Sequence, residues 1–306
     1  MMQAQPEMPI AFKNILCATD LAPGSSTIID YAVSTARRYR SKLYVVHVIP
    51  SDIYNSVPPE TLPQAVKQTH HELRKELNRF SQSQGMNRVS HEMLLEEGDV
   101  RQILLQLVQK YTIDLLVMGT RAHRGLDRLL RGSVAEDVFR QASCPVLIIP
   151  PHAFDEPGAR IRTILYPTDF SPTSLPGAAY AFSLARRYRA RLILLHVISD
   201  VLVRSQEQLA QLREPIESRL RELALTYDHL RQEPWLQVEF GPTAERIVRA
   251  GYVSRADLIV LGISSAETNV SHQAEGITYA VVREAECPVL TVRTSPIKPA
   301  SPVKES

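Results

Sequence analysis

A pentapeptide written twice is the strongest constraint in this sequence. Ala36-Arg37-Arg38-Tyr39-Arg40 recurs unchanged as Ala185-Arg186-Arg187-Tyr188-Arg189. Around it, residues 12–49 align with residues 161–198 at an offset of 149, which sets Asp20 on Asp169 and His47-Val48-Ile49 on His196-Val197-Ile198. Further along the offset falls to 143, which sets Gly119 on Gly262 and Cys144-Pro145 on Cys287-Pro288. Similarity at a fixed long period means a duplicated structural unit. The drop in offset places the length change in the middle helical region. The 306 residues then divide naturally into two cores of ordinary size. Their bounds read as 10–150 and 161–294, separated by a linker (151–160) that follows Pro150 and contains Asp155-Glu156-Pro157-Gly158. A terminal stretch (295–306), rich in Pro, Ser and Lys, reads as a disordered tail.

Within the first unit, short apolar runs alternate with helical patterns. Asn14–Ala18, Lys42–Val48, Arg88–Leu95, Asp114–Met118 and Val146–Ile149 read as strands. Helices are expected from Ser25 or Ser26 to Arg40, over about 62–82, over 100–111, and from the Gly132-Ser133 region to about Ala142. Strand and helix in alternation predict an α/β fold: a doubly wound parallel sheet with right-handed crossovers and helices on both faces. Ligands of such sheets bind beyond the carboxyl ends of the strands, where the strand order reverses. Asp20, Val48 and Gly119 all stand at such ends.

The stretch Gly119–Val134, GTRAHRGLDRLLRGSV, joins the fourth strand to the helix that follows it. A strand, a basic glycine-containing loop and a helix start together hold phosphate, because unpaired N–H groups and the helix dipole both favour an anion there. Arg121, Arg124, Arg128, Arg131 and His123 add mobile positive charge. The bland readings stand beside this one. A run of arginines also serves as a solvated face. Ser133 with Glu136 fits a capping box, which is compatible with a phosphate contact. Asp20 and Asp169 fit turn or cap positions as well as ligand positions. His47 and His196 read as packed structural histidines, and the repeated Ala-Arg-Arg-Tyr-Arg as a helix end whose cations complement the dipole.

Composition removes several classes. A formal net charge of +2 gives no general affinity for nucleic acid or an anionic membrane. No apolar run is long enough to span a bilayer and the N-terminus lacks a secretory pattern, so a cytoplasmic protein is the expectation. Cys17, Cys144 and Cys287 show no paired spacing and read as small buried hydrophobes, and the histidines suggest no metal site. Neither a Walker loop nor a dinucleotide fingerprint is present.

The pattern resembles the universal stress proteins in a tandem, two-domain form. The likeness covers about residues 12–150 and 161–293. It rests on Ala18-Thr19-Asp20 and Pro167-Thr168-Asp169 after the first strand of each unit, on His-Val ending the second, and on the final Cys-Pro-Val strand. The family's nucleotide signature is Gly, two residues, Gly, nine residues, then Gly-Ser or Gly-Thr. Gly119, Gly132 and Ser133 match it, and Ala122 replaces the second glycine. The resemblance implies a Rossmann-like, five-stranded parallel sheet of order 3-2-1-4-5 in each unit, with units pairing through their last strands. That pairing joins the two units of one chain as a pseudo-dimer, or two chains as a homodimer.

The resemblance also implies an adenine nucleotide as ligand, ATP in the first instance, with any Mg2+ carried by the phosphates. Asp20, beside Ala18 and Thr19, would contact the ribose, and the Val48 backbone the adenine. Met118, Gly119, Thr120, Arg121, Ala122, Arg124, Gly132, Ser133 and Val134 would surround the phosphates. A methyl group at Ala122 costs about 1 kcal/mol if that backbone needs a positive φ. The second unit departs further: its loop runs Gly262-Ile263-Ser264-Ser265-Ala266-Glu267, carries no Arg or Lys before Arg283, and has Glu275-Gly276 where Gly-Ser is expected. This argues against triphosphate binding there, although Asp169 and Val197 can still line an adenosine-like cleft. Asp127 is the sole carboxylate inside the first loop, so hydrolysis, which needs a positioned water, a base and charge stabilisation, would be slow at most. Three functions follow: a nucleotide-binding stress-response module, a nucleotide-free interaction scaffold, or a slow ATPase or self-phosphorylating protein with Ser133 as acceptor.

Overall fold

The computed structural model describes residues 10–21, 25–82, 85–119, 133–150, 161–199, 205–227, 230–263 and 276–293. The first repeat runs β1 (Asn14–Ala18), α1 (Ser25–Tyr39), β2 (Lys42–Ile49), α2 (Leu62–Ser81), β3 (His91–Glu97), α3 (Val100–Lys110), β4 (Leu115–Gly119), α4 (Ser133–Gln141) and β5 (Val146–Ile149). The second runs β6 (Thr163–Pro167), α5 (Leu175–Tyr188), β7 (Arg191–Ile198), α6 (Gln206–Thr226), β8 (Trp235–Phe240), α7 (Thr243–Val253), β9 (Leu258–Ile263), α8 (Ile277–Glu284) and β10 (Val289–Arg293). The strands form one ten-stranded sheet, ordered β3-β2-β1-β4-β5-β10-β9-β6-β7-β8. Each half is parallel with the expected 3-2-1-4-5 order. The halves join where β5 and β10 pair antiparallel, Leu147 opposite Leu290.

Period-two alternation within each strand feeds two separate cores. Ile15, Cys17, Leu115 and Val117 face α1 and α2, and Leu16, Leu116 and Met118 face α3 and α4. Each core continues across the β5–β10 junction, so α5 shares a face with α1, and α8 with α4. Almost every residue of the central strands is buried, as a parallel sheet covered on both faces requires.

Two expected strand bounds shift for physical reasons. Arg88, expected to open the third strand, instead ends a 3₁₀ turn, Met86–Arg88, that buries Met86, and β3 begins only at His91, opposite Leu43. Asp114 precedes its strand. Its carboxylate accepts the backbone N–H groups of Lys13 (2.7 Å) and Asn14 (2.9 Å), tying the start of β1 to that of β4. Asp257 repeats the device with Arg162 (2.7 Å) and Thr163 (2.8 Å).

The repeated pentapeptide ends α1 and α5 as expected, and it also meets itself. Across the seam the Arg38 guanidinium lies 4.3 Å from the Tyr188 ring centre, and Arg187 lies 5.0 Å from that of Tyr39. Arg38 donates to the Arg187 carbonyl (3.3 Å) and Arg187 to the Arg38 carbonyl (2.5 Å). The contact is reciprocal because the repeats are related by a pseudo-twofold, as antiparallel pairing of β5 with β10 demands. Tyr31 and Tyr180 obey the same relation. Burial first, and then Cys287 and Asp257 of the other repeat, push the Tyr31 hydroxyl up to about 12. Burial, Cys144 and Asp114 do the same to Tyr180.

Candidate functional site

β1 and β4 are neighbours, with Cys17 opposite Val117, so Ala18 and Met118 reach the carboxyl edge of the sheet side by side. From there the chain passes to α1 on one face after β1 and to α4 on the other after β4. In doubly wound sheets, ligands bind at such a divergence, outside the strand ends. Val48, on β2 beside β1, is buried at the same edge.

The turn after β1 is built by three contacts. Thr19 N–H donates to the Val46 carbonyl (3.0 Å), the Thr19 hydroxyl accepts from Leu21 N–H (3.1 Å), and His47 Nδ1–H donates to the Thr19 carbonyl (2.9 Å). A carbonyl only accepts, so this bond fixes the tautomer of His47. Burial lowers the His47 pKa, while Thr19 and Asp20 pull it back up. Leu21 then takes a left-handed φ of 58°, bending the chain sharply after Asp20. The second repeat reproduces each part: Thr168 with Leu195 (2.8 Å), Phe170 with Thr168 (3.0 Å), His196 with Thr168 (2.8 Å), and φ 61° at Phe170. The paired histidines are therefore supports of the turn.

The two rims differ in what surrounds this shared turn. Asp169 accepts from Ser171 N–H at 2.9 Å. Partial burial opposes its ionisation, but hydrogen bonds from Ser171 and Ser174 outweigh that and hold its carboxyl below the usual range. Phe170 stacks on the His196 ring with centres 5.0 Å apart, and the Arg219 guanidinium covers it from α6 at 4.1 Å. In the first repeat the corresponding residue is Leu21.

Gly262, next to last in β9, is in direct contact with the start of α5. A Cβ there would lie 2.6 Å from both Cα and the carbonyl oxygen of Ser174. Gly119 and Ser25 hold the matching positions of the first repeat. A glycine at this strand end thus has a packing reason besides close approach to phosphate, which the spacing argument did not see.

Among the predicted site residues, Ala18, Thr19, Asp20, Val48, Met118 and Gly119 come together at one sheet edge. Thr120, Arg121, Ala122, Arg124 and Gly132 lie outside the described residues, as do the side chains of Ser133 and Val134; α4 begins at Ser133. Within α4, Glu136 pairs with Arg140 at 2.5 Å, one turn further along. Among the described residues no three His, Cys, Asp or Glu side chains gather as a metal site, and no helix is long and apolar enough to cross a membrane. The three cysteines are free thiols, each pushed up to about 12 by burial first, as expected of inert packing groups.

Comparison with known proteins agrees with this architecture. The profile of the Universal stress protein family matches residues 11–150 and again 160–293. A universal stress protein of Methanocaldococcus jannaschii is 30% identical over 142 residues, which are 45% of this chain and 82% of the relative. Universal stress protein A homolog 1 of Coxiella burnetii is 36% identical over 144 residues, 45% of this chain and 96% of the relative. Each relative thus corresponds to about one repeat. The crystal structure of a universal stress protein from Archaeoglobus fulgidus superposes with a TM-score of 0.65 over 93% of this chain and 98% of that one, at 18% identity, a likeness of fold. With its family profile matched once in each half, this chain belongs to the universal stress protein family in tandem form.

Proposed function

We propose that the first repeat, residues 10–150, binds ATP or a closely related adenine nucleotide, and that the chain acts as a stress-response regulatory module whose bound state alters its shape or partners. The observation that carries this reading is the convergence of Asp20, Met118 and Gly119 at the ends of the adjacent strands β1 and β4, with Val48 on the adjoining strand and α4 starting at Ser133. These residues fit a nucleotide. Asp20 supplies acceptors for ribose hydroxyls, and the Val48 backbone can pair with an adenine edge. The first turn of α4 offers N–H groups to phosphate. Met118, Gly119, Thr120, Arg121, Ala122, Arg124, Gly132, Ser133 and Val134 form the phosphate segment, and Mg2+ enters with the phosphates.

The second repeat, residues 161–294, is the non-binding partner in this reading. Asp169 is committed to Ser171 and Ser174, Phe170 lies between Arg219 and His196, and the loop after β9 lacks cations before Arg283.

Calorimetric titration of the full chain with ATP and Mg2+ tests the proposal. One ATP per chain is expected, abolished in Gly132→Asp and weakened about tenfold or more in Asp20→Ala, since a hydrogen bond to a charged group contributes about 1.5–3 kcal/mol. Two ATP per chain would restore the second repeat as a site. No binding with intact, folded protein would leave a nucleotide-free interaction scaffold.

A further inference from the structure

Pairing β5 with β10 uses the last strand of each repeat inside the chain, so the sheet ends at β3 on one side and at β8 on the other. An edge strand presents unpaired backbone groups to any other strand, and charged side chains are one way proteins guard it. β3 is guarded. It carries Glu92, Glu96 and Glu97, with Asp99 just beyond, and although Lys42 meets Glu92 at 2.8 Å the strand remains acidic. β8, reading Trp235-Leu236-Gln237-Val238-Glu239-Phe240, has a single charge. Trp235 is 59% exposed, and the repeat sets it on Glu92. Leu236, Val238 and Phe240 pack on the α6 face, so Trp235, Gln237 and Glu239 share the other. On that second face the two ends of β8 differ in sign. The Arg191 guanidinium covers the Trp235 ring at 4.4 Å and ion-pairs with no carboxylate among the described residues. Glu239 accepts from the Gln237 amide at 2.9 Å and meets no cation among the described residues. Gln237 lies midway between these ends.

We propose that the β8 edge is a self-association surface, to which a second copy of this chain adds its own β8, antiparallel about a twofold axis at Gln237. In that register Trp235 stands opposite Glu239 of the second copy, Leu236 opposite Val238, and Gln237 opposite itself. Directly opposed side chains of an antiparallel pair have Cβ atoms about 4.5–5.5 Å apart, so these pairs touch. The unpaired carboxylate of each copy thus comes to the corner formed by Trp235 and Arg191 of the other, while Leu236 and Val238 meet on the α6 face. This complementarity of charge and shape names the occupant, since a second copy brings both the acid and the base. A twofold contact closes on itself. Applied to β3, the same register sets Glu92 opposite Glu96, a pairing of like charges, so association stops at two copies. The surface uses none of the residues proposed for nucleotide, so the two proposals fail separately.

The test is sedimentation velocity of the full chain from about 1 to 100 μM, over which monomer should give way to dimer and to nothing larger. Gln237→Lys and Gln237→Glu each set like charges against one another across the axis, and each alone should weaken dimerisation about tenfold or more. An equimolar mixture of the two variants should recover the dimer, because Lys then faces Glu, a rescue that a misfolded variant cannot give. Glu96→Lys, on the opposite edge, should leave dimerisation unchanged. A monomer throughout the range, species larger than a dimer, an undiminished dimer in Gln237→Lys, or a mixture no tighter than its components would each overturn the proposal. Weakening by Glu96→Lys would overturn it too, in favour of β8 pairing with β3.

Discussion

The seam offers two tyrosines in equivalent positions with unequal surroundings, and the difference is measurable. Tyr188 shares a hydrogen bond with the Thr35 hydroxyl, which itself donates to the Tyr31 carbonyl at 2.8 Å. Tyr39 faces the other repeat, where Leu184 takes the place of Thr35, and its buried hydroxyl has no hydrogen-bond partner among the described residues. Removing the Tyr188 hydroxyl therefore deletes one bond, at about 0.5–1.5 kcal/mol, and leaves Thr35 still satisfied through Tyr31. Removing the Tyr39 hydroxyl deletes no bond and relieves a desolvated group whose penalty is about 1–3 kcal/mol. Both rings stay under their guanidinium groups, so the cation–π contacts cancel in the comparison.

Tyr39→Phe is therefore expected to be neutral or stabilising, and Tyr188→Phe destabilising, with a gap of about 2 kcal/mol. At roughly 2–4 °C per kcal/mol for a protein of this size class, the melting temperatures should differ by about 4–8 °C. Chemical denaturation of the two single variants, read by circular dichroism, gives the gap directly. A double-mutant cycle adds a control: Leu184→Thr should be better tolerated with Tyr39 present than in the Tyr39→Phe background, where the new hydroxyl has no phenol to meet. Equal destabilisation by the two Tyr→Phe changes would refute the assignment of a satisfied and an unsatisfied hydroxyl.

Other outcomes follow from the same structure. Arg38→Ala combined with Arg187→Ala should remove both cation–π contacts and both backbone bonds of the seam. A loss of about 2–4 kcal/mol in denaturant unfolding is expected, and a single shared transition should give way to two. Tyr166 and Tyr180 are both pushed up to about 12, chiefly by burial, from an ordinary value of 10.0. Their native pKa is raised, so the stability they carry is complete below pH 10 and is lost as pH rises toward 12, by at most about 1.4 kcal/mol per pH unit for each. Denaturation midpoints measured from pH 8 to 11 should fall accordingly, and less steeply in Tyr166→Phe. His47 runs the other way. Its lowered pKa means the unfolded chain binds the extra proton first, so stability should decline as pH falls through 6.5, and an NMR titration should find its imidazole titrating below that ordinary value. Gly262→Ala should destabilise strongly, by about 2–4 kcal/mol, because its methyl would meet Ser174 backbone that has no room to retreat.

Much of the fold was legible in the sequence because parallel strands buried on both faces leave continuous apolar runs such as Leu115–Met118, and helices between them leave amphipathic ones. The location of the candidate site was legible for a related reason: Asp20, Val48 and Gly119 each follow or end such a run, and topology brings strand ends together. Contacts that depend on the relation between repeats were not legible. Arg38 and Arg187 look like any cationic helix terminus until β5 pairs with β10 and turns one against the other. Asp114 reads as the first residue of a strand until its carboxylate, like that of Asp257 in the second repeat, meets the start of a neighbouring strand. Nor is the commitment of Asp169 to Ser171 and Ser174 legible, since those hydroxyls reach back only because α5 begins where it does.

Joining two repeats in one chain changes what their interface is allowed to be. In a dimer of identical subunits every residue at the dyad appears twice, so an aromatic ring at the Phe12 position would have to be accommodated on both sides, and a Thr35 hydroxyl would satisfy both tyrosines or neither. A tandem chain keeps the elements that need symmetry, the β5–β10 ladder and the reciprocal Arg–Tyr contacts, and these are where the two halves remain alike. Elsewhere it is free to differ: Phe12 against Ile161, Thr35 against Leu184, a basic Gly-Ser loop against one without cations. The identical pentapeptide and the unequal side chains beside it are thus two consequences of one arrangement. The symmetric contacts hold the halves in register, and that register is what allows side chains between them to differ without shifting the seam.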